Sequence, residues 1–160
     1  MEFLAELHPK VVHFPIALLI TFVLLELIGT LLNKDFYAKT AHLILFLGVI
    51  GSIFAVLTGN QAFIAYENWN PESEALFNHH QTFANLTIWY FTGLLVLRTY
   101  LVVKKKYFKT IKYVFLILTL LGGFLVYQTS EYGGELVKKY GIGTELENNN
   151  TEMNDYKNAF

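Results

Sequence analysis

The apolar stretch VVHFPIALLITFVLLELIGTLL, residues 11–32, decides the fold class, because only His13 and Glu26 in it can ionise. An α-helix of about 20 apolar residues is long enough to cross the roughly 30 Å hydrocarbon core of a bilayer. Three more stretches of similar character follow, at residues 41–57, 83–103 and 111–127. The sequence therefore predicts an all-α integral membrane four-helix bundle.

The composition supports one small membrane domain and excludes other classes of protein. Of 160 residues, 54% are hydrophobic and 16% are charged, which is too apolar for a soluble two-domain protein. We assign residues 1–144 to the transmembrane domain and residues 145–160 to a polar tail, which is predicted to be disordered unless a partner binds it. A net charge of −1 argues against nucleic acid as a partner.

Histidine is the residue type best suited to hold a cofactor, because the chain contains no cysteine. The lack of thiolates excludes iron–sulfur clusters, thiolate-ligated zinc and the covalent attachment of c-type haem. Ionisable side chains near the ends of membrane spans are costly unless they have a function. Four of the five histidines occupy such positions on one membrane face, namely His8, His13, His79 and His80.

The lysines indicate how the bundle is oriented. Residues 33–40 and 104–112 hold most of the cations, whereas the connector at residues 60–78 holds three glutamates and no lysine or arginine. Cytoplasmic loops of membrane proteins carry an excess of lysine and arginine, so we expect both termini and the acidic connector to lie outside. This predicts a protein of the bacterial inner membrane with its termini on the periplasmic side.

His13 and His80 are the predicted axial ligands of a haem b group. Each lies about one helical turn inside the same membrane face, and six-coordinate haem requires two axial ligands from the protein. His8 then either supports one of them or replaces it as a ligand. Two alternatives are open: each histidine only bonds a carbonyl or interfacial water, or His8, His13 and one of His79 and His80 form a three-nitrogen copper or zinc site.

Two helix faces predict how the spans pack. Thr87, Phe91 and Arg98 share the face of His80 and should point into the bundle, although Arg98 is also placed to anchor the helix at the opposite headgroups. A strip of small residues follows one face of the second span, and it either packs closely against another helix or holds a flat cofactor. The strip consists of Gly48, Ser52, Ala55 and Gly59.

A polar cluster of Glu26, His42 and Arg98 is predicted at the inner face. Glu26 follows His13 by 13 residues, which places it about 20 Å deeper at 1.5 Å per residue. We expect Glu26 to pair with His42, either in a structural hydrogen bond or in a proton-linked contact with quinone.

At the outer face, residues 131–143 are predicted to fold back over the mouth of the bundle as a lid.

Five short motifs stand out along the chain: LHPKVVHFPIAL at residues 7–18, Thr58-Gly59, His79-His80, GGELV at residues 133–137 and YGIG at residues 140–143. Together they resemble the bacterial four-helix membrane family known as domain of unknown function 2231, over about residues 7–144. Members also occur fused to c-type cytochrome or Rieske-type domains, which implies a place beside membrane electron transfer. The chain departs from the family pattern at Glu131, where a histidine is common, and at Asn60-Gln61, where an acidic residue is common.

These observations support hypotheses of different kinds. The first is a small subunit of an electron-transfer assembly, rather than a stand-alone enzyme, which binds haem b and exchanges electrons with a c-type cytochrome or the quinol pool. The second is a cofactor-free accessory subunit of a larger membrane complex, with the small-residue strip and the polar tail as docking surfaces. A histidine-based copper site for metal trafficking is the third.

Overall fold

Five helices make up nearly all of the described chain. The structure is a computed structural model that describes residues 2–143. The first two helices form a single span, and four spans are long and apolar enough to cross a membrane, so the predicted all-α four-helix bundle is confirmed. The predicted polar tail lies outside the described residues. The helices are α1 Glu2–Val11, α2 His13–Leu32, α3 Asp35–Ala65, α4 Pro71–Val103 and α5 Lys109–Tyr140.

Each span is longer than a bilayer requires. The spans contain 30–33 residues, or about 45–50 Å at 1.5 Å per residue, against a hydrocarbon core of about 30 Å. The extra turns shorten the second connector to residues 66–70, whereas the sequence predicted a loop over residues 60–78. Asn70 fixes the start of α4, because its Oδ1 accepts hydrogen bonds from the N–H groups of Glu72 and Ser73 at 3.1 and 2.8 Å.

Proline accounts for the break between α1 and α2. Pro15 has no N–H group, so the carbonyl of Val11 lacks the hydrogen bond that would continue the helix. On either side, the N–H of Val12 donates to the carbonyl of His8 at 3.0 Å and the N–H of Ile16 donates to Val12 at 3.4 Å. These bonds keep α1 and α2 together as one span.

The spans form a closed ring of four neighbours. Both α2 and α4 pack against α3 and α5, and α1 packs mainly against α3. The first span and α4 are therefore diagonal to each other, and their inward side chains meet at the centre. The ring of Phe22 lies 6.1 Å from that of Phe91 and 6.5 Å from that of Phe115, edge to face in both pairs. We call these three residues the phenylalanine layer; they form the middle of the core.

The small-residue strip on α3 serves close helix packing. A Cβ atom at Gly48 would lie 2.7 Å from Cδ2 of Leu19, and one at Gly59 would lie 2.9 Å from Cε1 of His8. Ser52 is buried between them, and its hydroxyl donates to the carbonyl of Gly48 at 2.8 Å. Side chains of the first span fill this face, so the first of the two predicted uses of the strip is confirmed.

The predicted lid at residues 131–143 is wrong. Helix α5 continues through Gly133 and Gly134 to Tyr140, and it ends at Gly141, whose φ of 68° is the left-handed conformation that commonly terminates helices. The glycine pair does not bend the chain, because Gly133 instead makes room for a side chain of α4. The end of α5 thus extends the bundle rather than covering it.

Candidate functional site

Polar side chains are concentrated at the two ends of the bundle. The histidine end comprises His8, His80 and the connector at residues 66–70, and the lysine end comprises residues 33–40 and 104–112. The phenylalanine layer lies between them. Each end therefore has its own set of hydrogen bonds, separated from the other by apolar side chains.

His80 is held by α5 at the histidine end. Its Nδ1 donates a hydrogen bond to the backbone carbonyl of Thr129 at 3.0 Å. Its ring packs so closely on Gly133 that a Cβ atom there would lie 3.0 Å from Cε1. A carbonyl only accepts hydrogen bonds, so the hydrogen-bond network assigns the proton of the neutral ring to Nδ1 and its lone pair to Nε2.

His8 is held by α3 in the same way. Its Nδ1 lies 3.1 Å from the hydroxyl oxygen of Thr58. That hydroxyl already donates to the carbonyl of Phe54 at 2.9 Å, so it accepts from His8. A Cβ atom at Gly59 would lie 2.9 Å from Cε1 of the ring. Neutral His8 therefore also has its lone pair on Nε2, and Gly59 serves to admit the ring.

The structure brings His8 and His80 together and leaves His79 outside. The rings of His8 and His80 are half-buried at the same end of the bundle, and each is hydrogen-bonded to a neighbouring helix. His79 is exposed, and its ring stacks on Tyr132 with a centroid distance of 5.6 Å. His80 is thus the member of the His79-His80 pair that points into the bundle, which the sequence left open.

His13 does not lie where the sequence predicts. Its ring is exposed, and its Nδ1 donates to the carbonyl of Pro9 at 2.7 Å. The prediction that His13 points into the bundle is therefore wrong, and the histidines that bond to neighbouring helices are His8 and His80. The three-nitrogen copper or zinc site is also wrong: within residues 2–143, no group of three or more histidines or carboxylates could hold a metal ion.

Helix periodicity explains why His8 faces inward and His13 does not. The buried face of α2 is spaced by four, three and four residues, and it consists of Pro15, Leu19, Phe22 and Glu26. His8 precedes Pro15 by seven residues and shares this face, whereas His13 precedes it by two and lies on the opposite side. This signal was present in the sequence and would have selected His8.

Aromatic side chains cover the histidine end. Phe63 and Phe77 stack with a centroid distance of 4.4 Å, and Trp69 from the connector contacts them at 5.1 and 5.2 Å. Close to this group, Oε1 of Gln61 and Nε1 of Trp69 are buried without a hydrogen-bond partner among the described residues. These three rings therefore form an apolar group at the histidine end.

The lysine end contains a buried ion pair. Glu26 and Arg98 contact each other directly, and their side chains are 3% and 1% exposed. Arg98 also donates from Nη2 to the carbonyl of Ala38 at 2.9 Å. Its guanidinium lies 5.1 Å from the ring centroids of Tyr107 and Phe115, within range of cation–π attraction. Arg98 is therefore an internal partner and not the headgroup anchor that the sequence allowed.

Tyr107 completes this cluster and was not foreseen. Its hydroxyl donates to the carboxylate oxygen of Glu26 that Arg98 does not use. Burial raises the pKa of the Tyr107 phenol, so it stays protonated and able to donate. Tyr107 lies in the connector between α4 and α5, among lysines, where no periodic pattern indicates an inward side chain.

The predicted pairing of Glu26 with His42 is wrong. Both carboxylate oxygens of Glu26 are occupied by Arg98 and Tyr107. The Nε2 atom of His42 instead lies 3.5 Å from the hydroxyl of Thr99. The guanidinium of Arg98 donates to the carboxylate and to a helix carbonyl at once. A neutral imidazole has a single N–H group and cannot do both.

The fold and the site define a multi-pass α-helical membrane protein with a pair of histidines at one end and a buried ion pair at the other. The chain belongs to the family described as "Predicted membrane protein (DUF2231)", whose model matches residues 5–146. The resemblance found in the motifs is thereby confirmed. No curated protein and no solved structure matches the chain.

Proposed function

We propose that the protein is a small electron-transfer subunit that binds haem b through Nε2 of His8 and His80. The observation that carries this proposal is the shared hydrogen-bond pattern of the two rings. Each Nδ1 is tied to an acceptor on a neighbouring helix, which leaves both Nε2 atoms as lone-pair donors. Low-spin haem b requires two such donors on different segments.

The donor set fits the group on chemical grounds. A metal-ligating histidine almost always donates its other ring N–H to a carbonyl, a carboxylate or water, which fixes the tautomer and the ring orientation. The backbone carbonyl of Thr129 accepts this hydrogen bond from His80, and the hydroxyl of Thr58 accepts it from His8. His8 replaces His13 as the second ligand, because His13 is exposed on the other side of the helix.

The rest of the bundle supplies the environment. Haem, when bound, supplies one-electron transfer, and the chain's residues hold its iron and limit the access of water. The aromatic group of Phe63, Trp69 and Phe77 covers the histidine end on one side, and the phenylalanine layer closes it on the other. At the other end of the bundle, both oxygens of the Glu26 carboxylate already accept hydrogen bonds from Arg98 and Tyr107, so the proposal assigns Glu26 a structural role.

The proposed setting is the inner membrane of a bacterium, with both termini in the periplasm. The concentration of lysines at one end supports this orientation. The histidine end would then face periplasmic partners, such as a c-type cytochrome or the quinol-linked subunits of a larger membrane complex. The resemblance to modules that are fused to redox domains supports such partners.

The test is the visible spectrum of the full chain purified in detergent from cells supplied with haem precursor. We expect a sharp α-band of low-spin haem after reduction with dithionite. His8→Ala and His80→Ala should each abolish this band, and the matched control His13→Ala should keep it. A colourless wild-type protein, or loss of the band in His13→Ala alone, would contradict the proposal.

A cofactor-free scaffold subunit is the second candidate. It is favoured by the fact that Nδ1 of each inward histidine already has a structural partner, so the rings stabilise helix contacts without a ligand. The His8→Ala/His80→Ala double variant distinguishes the two. If the membrane complex assembles with full activity in that variant, the scaffold hypothesis is correct. Elemental analysis of the same samples tests for copper.

A further inference from the structure

The lysine end carries a positive charge that no ion pair within residues 2–143 balances. The segments 33–40 and 104–112 contain seven lysines and a single carboxylate, Asp35. Exposed members of this group are Lys34, Lys39, Lys104, Lys105 and Lys106. In the part of the chain that the structure describes, the ion pairs are Glu26–Arg98 and Glu135–Lys139, so none of these five lysines is paired with a carboxylate.

One hydrogen bond joins the two segments into a continuous surface. Nζ of Lys112 donates to Oδ1 of Asn33 at 3.0 Å. Asn33 is a neutral acceptor, so Lys112 keeps its positive charge uncompensated. The first connector and the start of α5 are thereby held side by side, and their lysines act on the same region of the membrane surface.

Backbone hydrogen bonds fix the main chain of two of the lysines, Lys105 and Lys106. The N–H of Lys106 donates to the carbonyl of Leu101 at 2.8 Å, and the N–H of Lys105 donates to Val102 at 3.0 Å. This is the double hydrogen bond that commonly ends a helix. Lys105 has a φ of 53°, a conformation in which glycine is the usual residue. The chain therefore keeps a cation at a position where glycine would be less strained.

Exposed aromatic rings border the lysines. Phe36 is the second residue of α3 and is 73% exposed. Phe108 directly precedes α5 and is 57% exposed. Aromatic side chains at the ends of membrane spans favour the interface between headgroups and acyl chains. Cations flanked by apolar rings match a molecule that has both a phosphate and hydrocarbon chains.

We propose that the lysine end is a binding site for anionic phospholipids. Lys104, Lys105 and Lys106 attract the headgroup phosphate, with Lys34 and Lys112 beside them, and the acyl chains lie along Phe36 and Phe108. Charge complementarity selects an anionic headgroup over a zwitterionic one. The exposed rings select a lipid over a soluble phosphate. This site is separate from the haem proposal, because it lies at the opposite end of the bundle.

Native mass spectrometry of the full chain in detergent tests the site, with dioleoylphosphatidylglycerol, dioleoylphosphatidylcholine and inorganic phosphate as three separate probes. We expect the wild type to bind phosphatidylglycerol about tenfold more tightly than phosphatidylcholine. The triple variant Lys104→Gln/Lys105→Gln/Lys106→Gln should lose this preference. The matched control Lys10→Gln/Lys138→Gln/Lys139→Gln, which removes the same charge at the histidine end, should keep it.

A salt titration on the wild type provides a measurement that needs no variant. Raising sodium chloride from 0.1 to 1 M shortens the Debye length from about 10 to about 3 Å, so the preference for phosphatidylglycerol should fall strongly. Equal loss in both triple variants, absence of the preference in the wild type, or its persistence in 1 M salt would overturn the proposal. Inorganic phosphate that binds as tightly as the lipid would overturn it as well, in favour of a site for soluble phosphate.

Discussion

At the lysine end, Arg98 and Tyr107 donate hydrogen bonds to both carboxylate oxygens of Glu26, whereas at the histidine end His8 and His80 each bind a neighbouring helix through only one ring nitrogen. Among the described residues, Nε of Arg98 has no hydrogen-bond partner. Both arrangements involve the first span and α4, which are diagonal in the bundle. The cluster at the lysine end uses both oxygens of the Glu26 carboxylate, so it stabilises the fold. The histidine end keeps the lone pairs on Nε2 of His8 and His80 available, so it is suited to bind a ligand.

Breaking the ion pair should give the largest loss of stability. Arg98→Met leaves the carboxylate of Glu26 buried without its charge partner, and removal of one member of a buried pair typically costs about 3–5 kcal/mol. The free energy of unfolding measured by steric trapping in bicelles checks this value. The double variant Arg98→Met/Glu26→Leu should recover part of the loss, because it leaves no buried charge, although the hydroxyl of Tyr107 loses its acceptor.

A loss below about 1 kcal/mol in Arg98→Met would contradict the comparison between the two ends. That value is typical of an exposed ion pair, so it would mean that Glu26 and Arg98 are hydrated in the bilayer. The double variant is the control for packing, since it changes the volume of the site without leaving a buried charge.

Tyr107→Phe should destabilise the protein less, by about 1.5–3 kcal/mol, because it removes one hydrogen bond to a charged group. The pH dependence sharpens this prediction. Burial raises the pKa of Tyr107 above its ordinary value of 10.0, so the unfolded phenol ionises first as pH rises. The stability difference between wild type and Tyr107→Phe should be constant below about pH 10 and shrink above it. A difference that grows in alkali would mean that folding lowers the pKa of Tyr107 instead of raising it, and would contradict this prediction.

The glycines beneath the histidines should tolerate a methyl group poorly. Gly133→Ala would place a Cβ atom 3.0 Å from Cε1 of His80, and such overpacking typically costs about 1–3 kcal/mol. In Gly93→Ala nothing lies within 4 Å of the new atom, so this control should be neutral or more stable by up to about 1 kcal/mol. Melting temperatures in detergent compare the two variants. Equal effects would mean that the ring of His80 does not rest on Gly133.

His13→Ala should have the smallest effect, within about 0.5 kcal/mol, because the side chain is exposed and its bond is local to the helix. The same thermal measurement, with His8→Ala as the comparison, is sufficient. His8→Ala loses a bond to another helix and leaves space above Gly59, so it should melt at a lower temperature than His13→Ala. The reverse order would restore His13 as the inward residue.

The parts of the site that the sequence could predict are those that follow from helix periodicity. The face of α4 with Thr87, Phe91 and Arg98 is buried as predicted, because a 3.6-residue repeat places these side chains on one side. The same repeat, continued from Glu26 back to His8, contains the correct histidine. Depth in the membrane alone favours His13, whereas the helix face on which the side chain lies favours His8.

Other features could not be read from the residues. Tyr107 lies in a connector, where no repeat indicates direction, and its contact with Glu26 depends on the path of the turn after α4. The glycine pair in α5 resembles a turn in sequence, yet Gly133 lies within a helix, where the absence of a side chain admits the ring of His80. Such a choice depends on a neighbouring helix that is distant along the chain.

The sequence by itself determined that this protein is a four-span helical membrane bundle, because the length and apolarity of each stretch leave the backbone no other way to satisfy its hydrogen bonds in lipid. Only the tertiary structure decided which polar groups meet. The pairings of Arg98 with Glu26 and of His8 with Thr58 join residues 72 and 50 positions apart, so they depend on how the helices are rotated about their axes and packed against one another.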